Sequence, residues 1–344
     1  MPVSDQGSPA GNARKSLGLR DIAKLAGVSH QTVSRVLNDH PNTSAATRAK
    51  VMKVVEENNY RPSRVARALA TSRHQRIGVV VEGVGQAGPA STLRSIESAA
   101  FSRDYTVSTL SVGDGLTVSE AAEHLMDHGV DGLIVIAPRV VTVRRLLERK
   151  LQLPYVVVNA ERPEAASTVS VDQFDGARQA VSHLLDAGHR VIMHIAGPLD
   201  WADARARERG WRDTLVANGA PVVEPVAGDW TPDSGYAAVA RVLAQKDCTA
   251  VFAANDQMAL GLIHGLHDAG VRVPQDMSVV GFDDLPESAH YLPPLTTIRQ
   301  DFAALGSSAV GSLLDQVEHP GREVPGVRVR PRLVVRSSTG RPRS

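Results

Sequence analysis

Four stretches of the chain share one grammar: MDHGVDG at 126–132, LDAGHR at 185–190, VANGA at 216–220 and HDAGVRV at 267–273. In each, a helical segment stops at a glycine. Glycine adopts the left-handed backbone that ends a helix, so Gly129, Gly188, Gly219 and Gly270 are expected just past helix C-termini. Between the helices run β-rich segments: RIGVVV, YTVSTLSV, DGLIVIA, YVVVN, RVIMHIAG, AVFAAN and MSVVGFDD. Repeated β-α units imply a parallel sheet with helices on both faces. There are too many units for one comfortable sheet, so the α/β body from residue 76 onward is expected to form two similar lobes.

One loop in this body invites a catalytic reading. GVGQAG, 83–88, follows IGVVV at 77–81 and matches the G-x-G-x-x-G of dinucleotide sites. Such a site needs an acidic residue at the end of the next strand to hold a ribose hydroxyl. That strand, YTVSTLSV, ends at Val112 and Gly113; Asp104 precedes it and Asp114 lies in the following turn. The acid is misplaced. Elsewhere there is no G-x-S-x-G, Walker loop or H-E-x-x-H, and Cys248 in QKDCTAVF has no neighbouring base. His183, His189 and His194 do not form a convincing metal set. The expectation is no enzyme, no metal and no cofactor.

Charge points to a different activity. The net charge of +1 hides a division: residues 1–76 hold 13 Lys or Arg against 5 Asp or Glu, and the remainder holds 25 against 32. A basic head on an acidic body suggests that only the head meets a polyanion. Within it, LRDIAKLAGVSHQTVSRVLN (19–38) reads as helix, turn at Gly27, and a second helix capped by Ser29. Ile22, Ala23, Leu25 and Ala26 give the first helix its apolar spacing. On the second, Val33, Val36 and Leu37 share a face. The opposite face carries His30, Gln31, Ser34 and Arg35, side chains able to read base edges in a major groove. A third helix is expected at about 44–58, capped by Ser44. The leading MPVSDQGSPAGNARKS has no apolar h-region, so residues 1–17 read as a disordered tail and not a secretory signal. A single cysteine permits no internal disulfide, and no apolar run reaches the about 20 residues of a membrane span. A cytoplasmic protein is expected, with no membrane partner.

The wording of the head is specific. VSHQTVSRVLN and NNYRPSRVARALA (58–70) resemble the DNA-binding headpiece of the LacI/GalR family of bacterial transcription regulators. GHRVIMHIAGP, RARERGW, GDW, ANDQMALG, SVVGFDD and PPLTTIRQDF resemble that family's effector-binding core, and the likeness runs to about residue 339. It implies a three-helix helix-turn-helix domain at 18–62 and a hinge helix with linker at 63–75. A two-lobed, periplasmic-binding-protein-like (type I) core of parallel sheets flanked by helices follows at 76–339, then a tail at 340–344. The N-lobe would take about 76–171 and 302–328, and the C-lobe about 172–301 and 329–339. By the same likeness His30, Gln31 and Arg35 contact bases. Ala66 and Leu69 lie on the hinge-helix face that enters the minor groove, with Leu69 as a wedge that kinks the DNA.

In open α/β sheets ligands sit at the carboxyl ends of strands. Asn159 ends YVVVN, Asn255 ends AVFAAN and Asp283 ends SVVGFD, while Arg207 lies in a helix-opening segment and Trp230 follows a glycine turn. Such a set suits a neutral sugar: hydroxyls pair with carboxylate, guanidinium and amide groups, and an indole stacks on the ring. The resemblance assigns Arg207, Trp230, Asn255, Asp283 and Gln300 to the effector site, with Phe302 as a wall at a lobe crossover. It also sets GVGQAG at the cleft border, which adds Gln86, Gly88 and Pro89, with Pro89 at the first helical position. Arg205 and Trp211 read as structural.

The function implied is a homodimeric regulator of double-stranded operator DNA, a repressor released from a palindromic operator by a sugar effector. The motif wording is nearest the branch of the family that responds to β-galactosides. That branch has an asparagine where this chain has Ile136 and an aspartate where it has Asn159, so other glycosides stay open. A corepressor-dependent regulator with another ligand is the alternative. A solute-binding transport protein would instead carry an export signal and no DNA-binding head. The chain stops at STGRPRS without leucine heptads, so a dimer is expected rather than a coiled-coil tetramer.

Overall fold

The computed structural model describes residues 17–37, 42–60, 73–113, 115–148, 151–158 and 167–343. They fall into two compact units that divide between His74 and Gln75. The expected hinge helix, with Ala66 and Leu69, lies outside the described residues, as do the first 16 residues and Asn159.

The first unit holds three helices, Leu19–Ala26 (α1), His30–Leu37 (α2) and Ala45–Glu57 (α3). Gly27 turns the chain between the first two at φ +60°. The Ser29 hydroxyl accepts from the Thr32 N–H at 3.1 Å, and the Ser44 hydroxyl accepts from the Thr47 N–H at 3.2 Å. These caps satisfy N–H groups that the helices leave without partners. Ile22, Ala23, Ala26, Val33, Val36 and Val51 form the core. Leu25 differs from its expected place: it is 55% exposed, on the outer side of α1.

The second unit contains two six-stranded sheets. The first has the order Val327–Val329 (β11), Ser167–Val171 (β5), Tyr155–Val158 (β4), Gly132–Ile136 (β3), Arg76–Glu82 (β1) and Thr106–Val112 (β2). All its pairings are parallel. The second runs Arg332–Val334 (β12), Thr296–Arg299 (β10), Ser278–Asp283 (β9), Cys248–Ala253 (β8), Val191–Ala196 (β6) and Val226–Ala227 (β7). There only β12 is antiparallel to its neighbour. Helices cover both faces, as a parallel sheet requires. Along β1, Ile77, Val79 and Val81 pack toward Ala87–Phe101 (α4) and Phe302–Glu318 (α12). Val80 faces Val118–Asp127 (α5) and Val140–Glu148 (α6). Gly129, Gly188, Gly219 and Gly270 end their helices at φ +69°, +105°, +63° and +75°.

The chain passes between the lobes three times: after β5 into Gln173–Asp186 (α7), after β10 into α12, and between Val329 and Arg332. Val329 pairs with Val171 in the first lobe, so the last crossover falls one residue beyond the boundary drawn from the sequence. The end of the chain is also held. Gly340 accepts from His189 Nε2 at 2.9 Å and Arg343 pairs with Asp276, so residues 340–343 lie on the second lobe rather than trailing from it. No helix among the described residues is long and apolar enough to cross a membrane.

One polar group sits deep in the second lobe. His194 on β6 is fully buried, stacked between Phe252 at 4.8 Å and Trp211 at 5.5 Å. Its Nδ1–H donates to the Phe252 carbonyl at 2.9 Å, while Nε2 finds no partner among the described residues. Burial pushes its pKa down to about 4, opposed by the Phe252 bond and aided by the charges of Arg207 and Arg212. A folded pKa below the unfolded one means that this site's stability is present above about pH 6.5 and is lost as pH falls toward 4. His194→Phe keeps a ring in the stack and cannot titrate. Urea unfolding of both proteins should show the variant gaining on the wild type as pH drops from 7 to 4, by up to about 3 kcal/mol. A difference that stays flat over this range would disprove the account.

Candidate functional site

The carboxyl ends of the strands meet in a cleft between the two lobes. The β1–α4 loop brings Gln86, Ala87, Gly88 and Pro89; Ala202–Ala217 (α8) and its N-cap bring Trp201, Asp203 and Arg207. Trp230 follows β7, Asn255 follows β8, Asp283 ends β9, and Gln300 and Phe302 follow β10. Together they line one pocket of about 390 Å³, mouth included. This is where open α/β sheets bind ligands. Every effector residue expected from the sequence lies on this wall except Asn159, which is outside the described residues. Trp201, Asp203 and Ala87 were not expected. Asp203 had a readable signal, since it stands one turn before Arg207 and shares its helix face. Ile136 does not face the pocket; it is buried in the core of the first lobe.

The glycine loop is explained by packing. Gly83 has φ +71°, and a Cβ there would lie 3.0 Å from the Trp201 indole. A Cβ on Gly88 would meet nothing within 4 Å, unlike the last glycine of a dinucleotide loop, which permits close helix–strand packing. Helix α4 begins at Ala87 with Gln86 as N-cap, so Pro89 is its third residue rather than its first. The proline still fits there, because the first four helical N–H groups have no partner within the helix.

Arg207 is the centre of the wall. It is 4% exposed, with its guanidinium carbon 3.8 Å from the Phe282 ring centroid. Nε donates to Gln173 Oε1 at 2.9 Å, Nη1 donates to the Ala254 carbonyl at 2.5 Å, and Nη2 lies 3.6 Å from Asp283 Oδ1. Gln173 Nε2 donates to Gln300 Oε1 at 3.0 Å, and Gln300 Nε2 donates to Asp283 Oδ1 at 2.7 Å. The four side chains close a ring. Burial pushes the Asp283 carboxyl up to about 6 against the pull of Arg207 and the Gln300 bond. Gln173, the first residue of α7, escaped the sequence reading because a helix-opening glutamine has no distinguishing local signal.

Trp230 is pinned. Its backbone has φ +75°, and Asp283 and Asp284 have φ +115° and +56°. Such backbone costs about 1–3 kcal/mol per residue and persists only where surroundings impose it. Asn255 supplies part of that constraint: Nδ2 donates to the Trp230 carbonyl at 3.0 Å, while Oδ1 accepts from the Met258 N–H at 2.8 Å and caps Asp256–Asp268 (α11). A Cβ on Gly197 would lie 2.2 Å from the indole, so only glycine fits beneath it. The Trp230 Nε1–H is buried and has no hydrogen-bond partner among the described residues.

In the first unit, His30, Gln31 and Arg35 are exposed and Ser34 is half-buried on α2, while Val33 and Val36 turn inward.

Residues 18–63 match the model for bacterial regulatory proteins, lacI family, and residues 181–339 match a periplasmic binding protein-like domain. The chain is 36% identical over 332 residues to the lactose operon repressor of Escherichia coli K12, covering 94% of this chain and 91% of that one. It is 34% identical to the HTH-type transcriptional repressor PurR of Haemophilus influenzae PittEE, over 93% of this chain and 98% of the relative. A solved lac repressor dimer bound to operator and the anti-inducer ONPF superposes with a TM-score of 0.83 at 34% identity. That match covers 95% of this chain and 100% of the other.

The buried ring gives a pH-dependent expectation. Arg207→Met strips Asp283 of its counter-charge, which should cost about 3–5 kcal/mol at pH 8. The folded pKa of Asp283 is already raised, so its favourable contribution is present at low pH and lost as pH rises through about 6. At pH 5 the carboxyl is largely protonated, and the deficit of the variant should shrink. Urea unfolding at both pH values measures this; an equal deficit at each would remove Asp283 from the explanation.

Proposed function

The chain belongs to the lacI family of bacterial regulatory proteins, and we propose that it is a cytoplasmic homodimer released from a two-fold symmetric operator by a neutral sugar or glycoside. It is a DNA-binding transcriptional repressor and not an enzyme, as its relatives are. His30, Gln31, Ser34 and Arg35 read base edges in each half-site. Ala66 and Leu69 enter the minor groove at the centre.

One observation carries the ligand class. Arg207 is the only cation on the described pocket wall, which also carries two carboxylates, Asp203 and Asp283. An anionic effector would bring a further negative charge beside both of them. A neutral ligand rich in hydroxyls instead meets Asp203, Asp283, Gln86 and Gln300, with the Trp230 indole to stack on. A β-galactoside is the leading candidate, supported by likeness to the lactose operon repressor. The wall draws on both lobes, so ligand affinity depends on how the lobes are set. The effector must bind the released arrangement better than the operator-bound one, because equal affinity shifts nothing.

Fluorescence anisotropy with a labelled, CG-centred palindromic operator tests this, first alone and then with a panel of galactosides and glucosides. Tight binding that one sugar abolishes is the expected result, with Arg35→Ala weakening the complex about ten- to hundredfold. Binding strengthened by a sugar would mark a corepressor. Binding that no sugar alters would overturn the effector assignment, and binding indifferent to DNA sequence would overturn the operator reading.

A further inference from the structure

Trp201 is 7% exposed, yet it forms part of the pocket wall. Its ring meets that of Trp230 at 60°, with centroids 5.5 Å apart, so the two indoles close one inner corner of the cleft. Both lobes hold it there. From the first lobe, the backbone of Gly83 lies against the indole, and the Arg139 guanidinium stands 5.7 Å from the ring centroid. Arg139 and Trp201 form an isolated antiparallel bridge, and the Ala202 N–H donates to the Pro138 carbonyl at 2.9 Å.

Arg139 is fixed by one carboxylate from each lobe. Nη1 donates to Glu82 at 2.7 Å and Nε donates to Asp200 at 2.8 Å. Asp200 is exposed, so its pair is weak by itself. Glu82 is nearly buried and also accepts from Thr142, which makes it the firm end of the clasp. Trp201 therefore stands in a set position, neither free to swing into the cleft nor out of it.

The space left is small. The pocket volume of about 390 Å³ already counts its open mouth. Ligand sites generally span about 300–1,000 Å³, and the enclosed part of this one is smaller than its 390 Å³ with the mouth counted. A second ring along the same wall would need the corner that Trp201 fills.

Resting on the reading of this cleft as a glycoside site, we propose that Trp201 is a specificity-determining residue that limits the effector to one sugar ring, with Arg139 as the residue that positions it. The discrimination is steric: a rigid indole excludes a second ring without needing contact with the first.

The test titrates full-length protein with two matched pairs, methyl β-galactoside against lactose and methyl β-glucoside against cellobiose, by calorimetry. Within each pair the non-reducing ring is the same. Wild type should bind a methyl glycoside at least tenfold more tightly than the matching disaccharide. Trp201→Ala, checked for a cooperative thermal transition, should reduce that ratio to less than threefold by gaining affinity for the disaccharide. Arg139→Met keeps the indole but frees it, and should move the ratio part of the way. A structural role alone would lower all affinities together and leave the ratio unchanged. Equal binding of one-ring and two-ring ligands by wild type overturns the proposal while leaving the glycoside reading intact. So does an unchanged ratio in the folded variants; should Trp201→Ala not fold, the wild-type and Arg139→Met ratios decide. If wild type binds none of the four, the glycoside reading itself fails and this inference fails with it.

Discussion

A full positive charge stands inside the second lobe, and much of the cleft is arranged around it. Isolated burial of a guanidinium would be strongly unfavourable, so the surroundings must return what water would have given. Arg207 receives a carboxylate, a side-chain amide, a backbone carbonyl and an aromatic face. Those partners come from the ends of β8 and β9 and the start of α7, while Gln300 ties in the crossover after β10. Satisfying one charge thus fixes the relative positions of four chain segments. Asp283, whose carboxylate completes the ring, also carries a strained backbone φ of +115°.

The aromatic residues behind the ring extend this rigidity. Phe282 carries Arg207 on its face and stands 6.4 Å from Phe252, which in turn stacks on His194. Trp211 closes the column, with its Nε1–H donated to the Ile192 carbonyl at 3.0 Å. Its structural reading from the sequence is accounted for by that bond and by its complete burial. The pocket wall around Arg207 is therefore backed by packed rings, an arrangement that holds side chains in register.

Features governed by neighbours in sequence are legible in the sequence itself. The glycines that end helices, the caps at Ser29 and Ser44, and the placement of Asn255 and Asp283 at strand ends all follow from local backbone chemistry. Features that depend on contacts between distant segments were not. Trp201 has meaning only because Gly83, in the other lobe, leaves room for it. Gln173 matters only because Arg207 and Gln300 both arrive at its amide. Leu25 fits the helical period yet points outward, because a three-helix unit has too little interior to cover every apolar position. Pro89 stands two positions further into its helix than its residue type suggests, because Gln86 caps that helix without a side-chain bond and no residue type marks the start.

The three lobe crossovers share one side of the molecule. β5 and β11 pair at the edge of the first sheet, β10 and β12 pair at the edge of the second, and the Asp172 N–H donates to the Val329 carbonyl at 2.9 Å. Three tethers in a row oppose sliding of one lobe past the other and leave rotation about the row as the least constrained relative displacement. By simple leverage, any such rotation displaces the far end of the first lobe more than the residues beside the row.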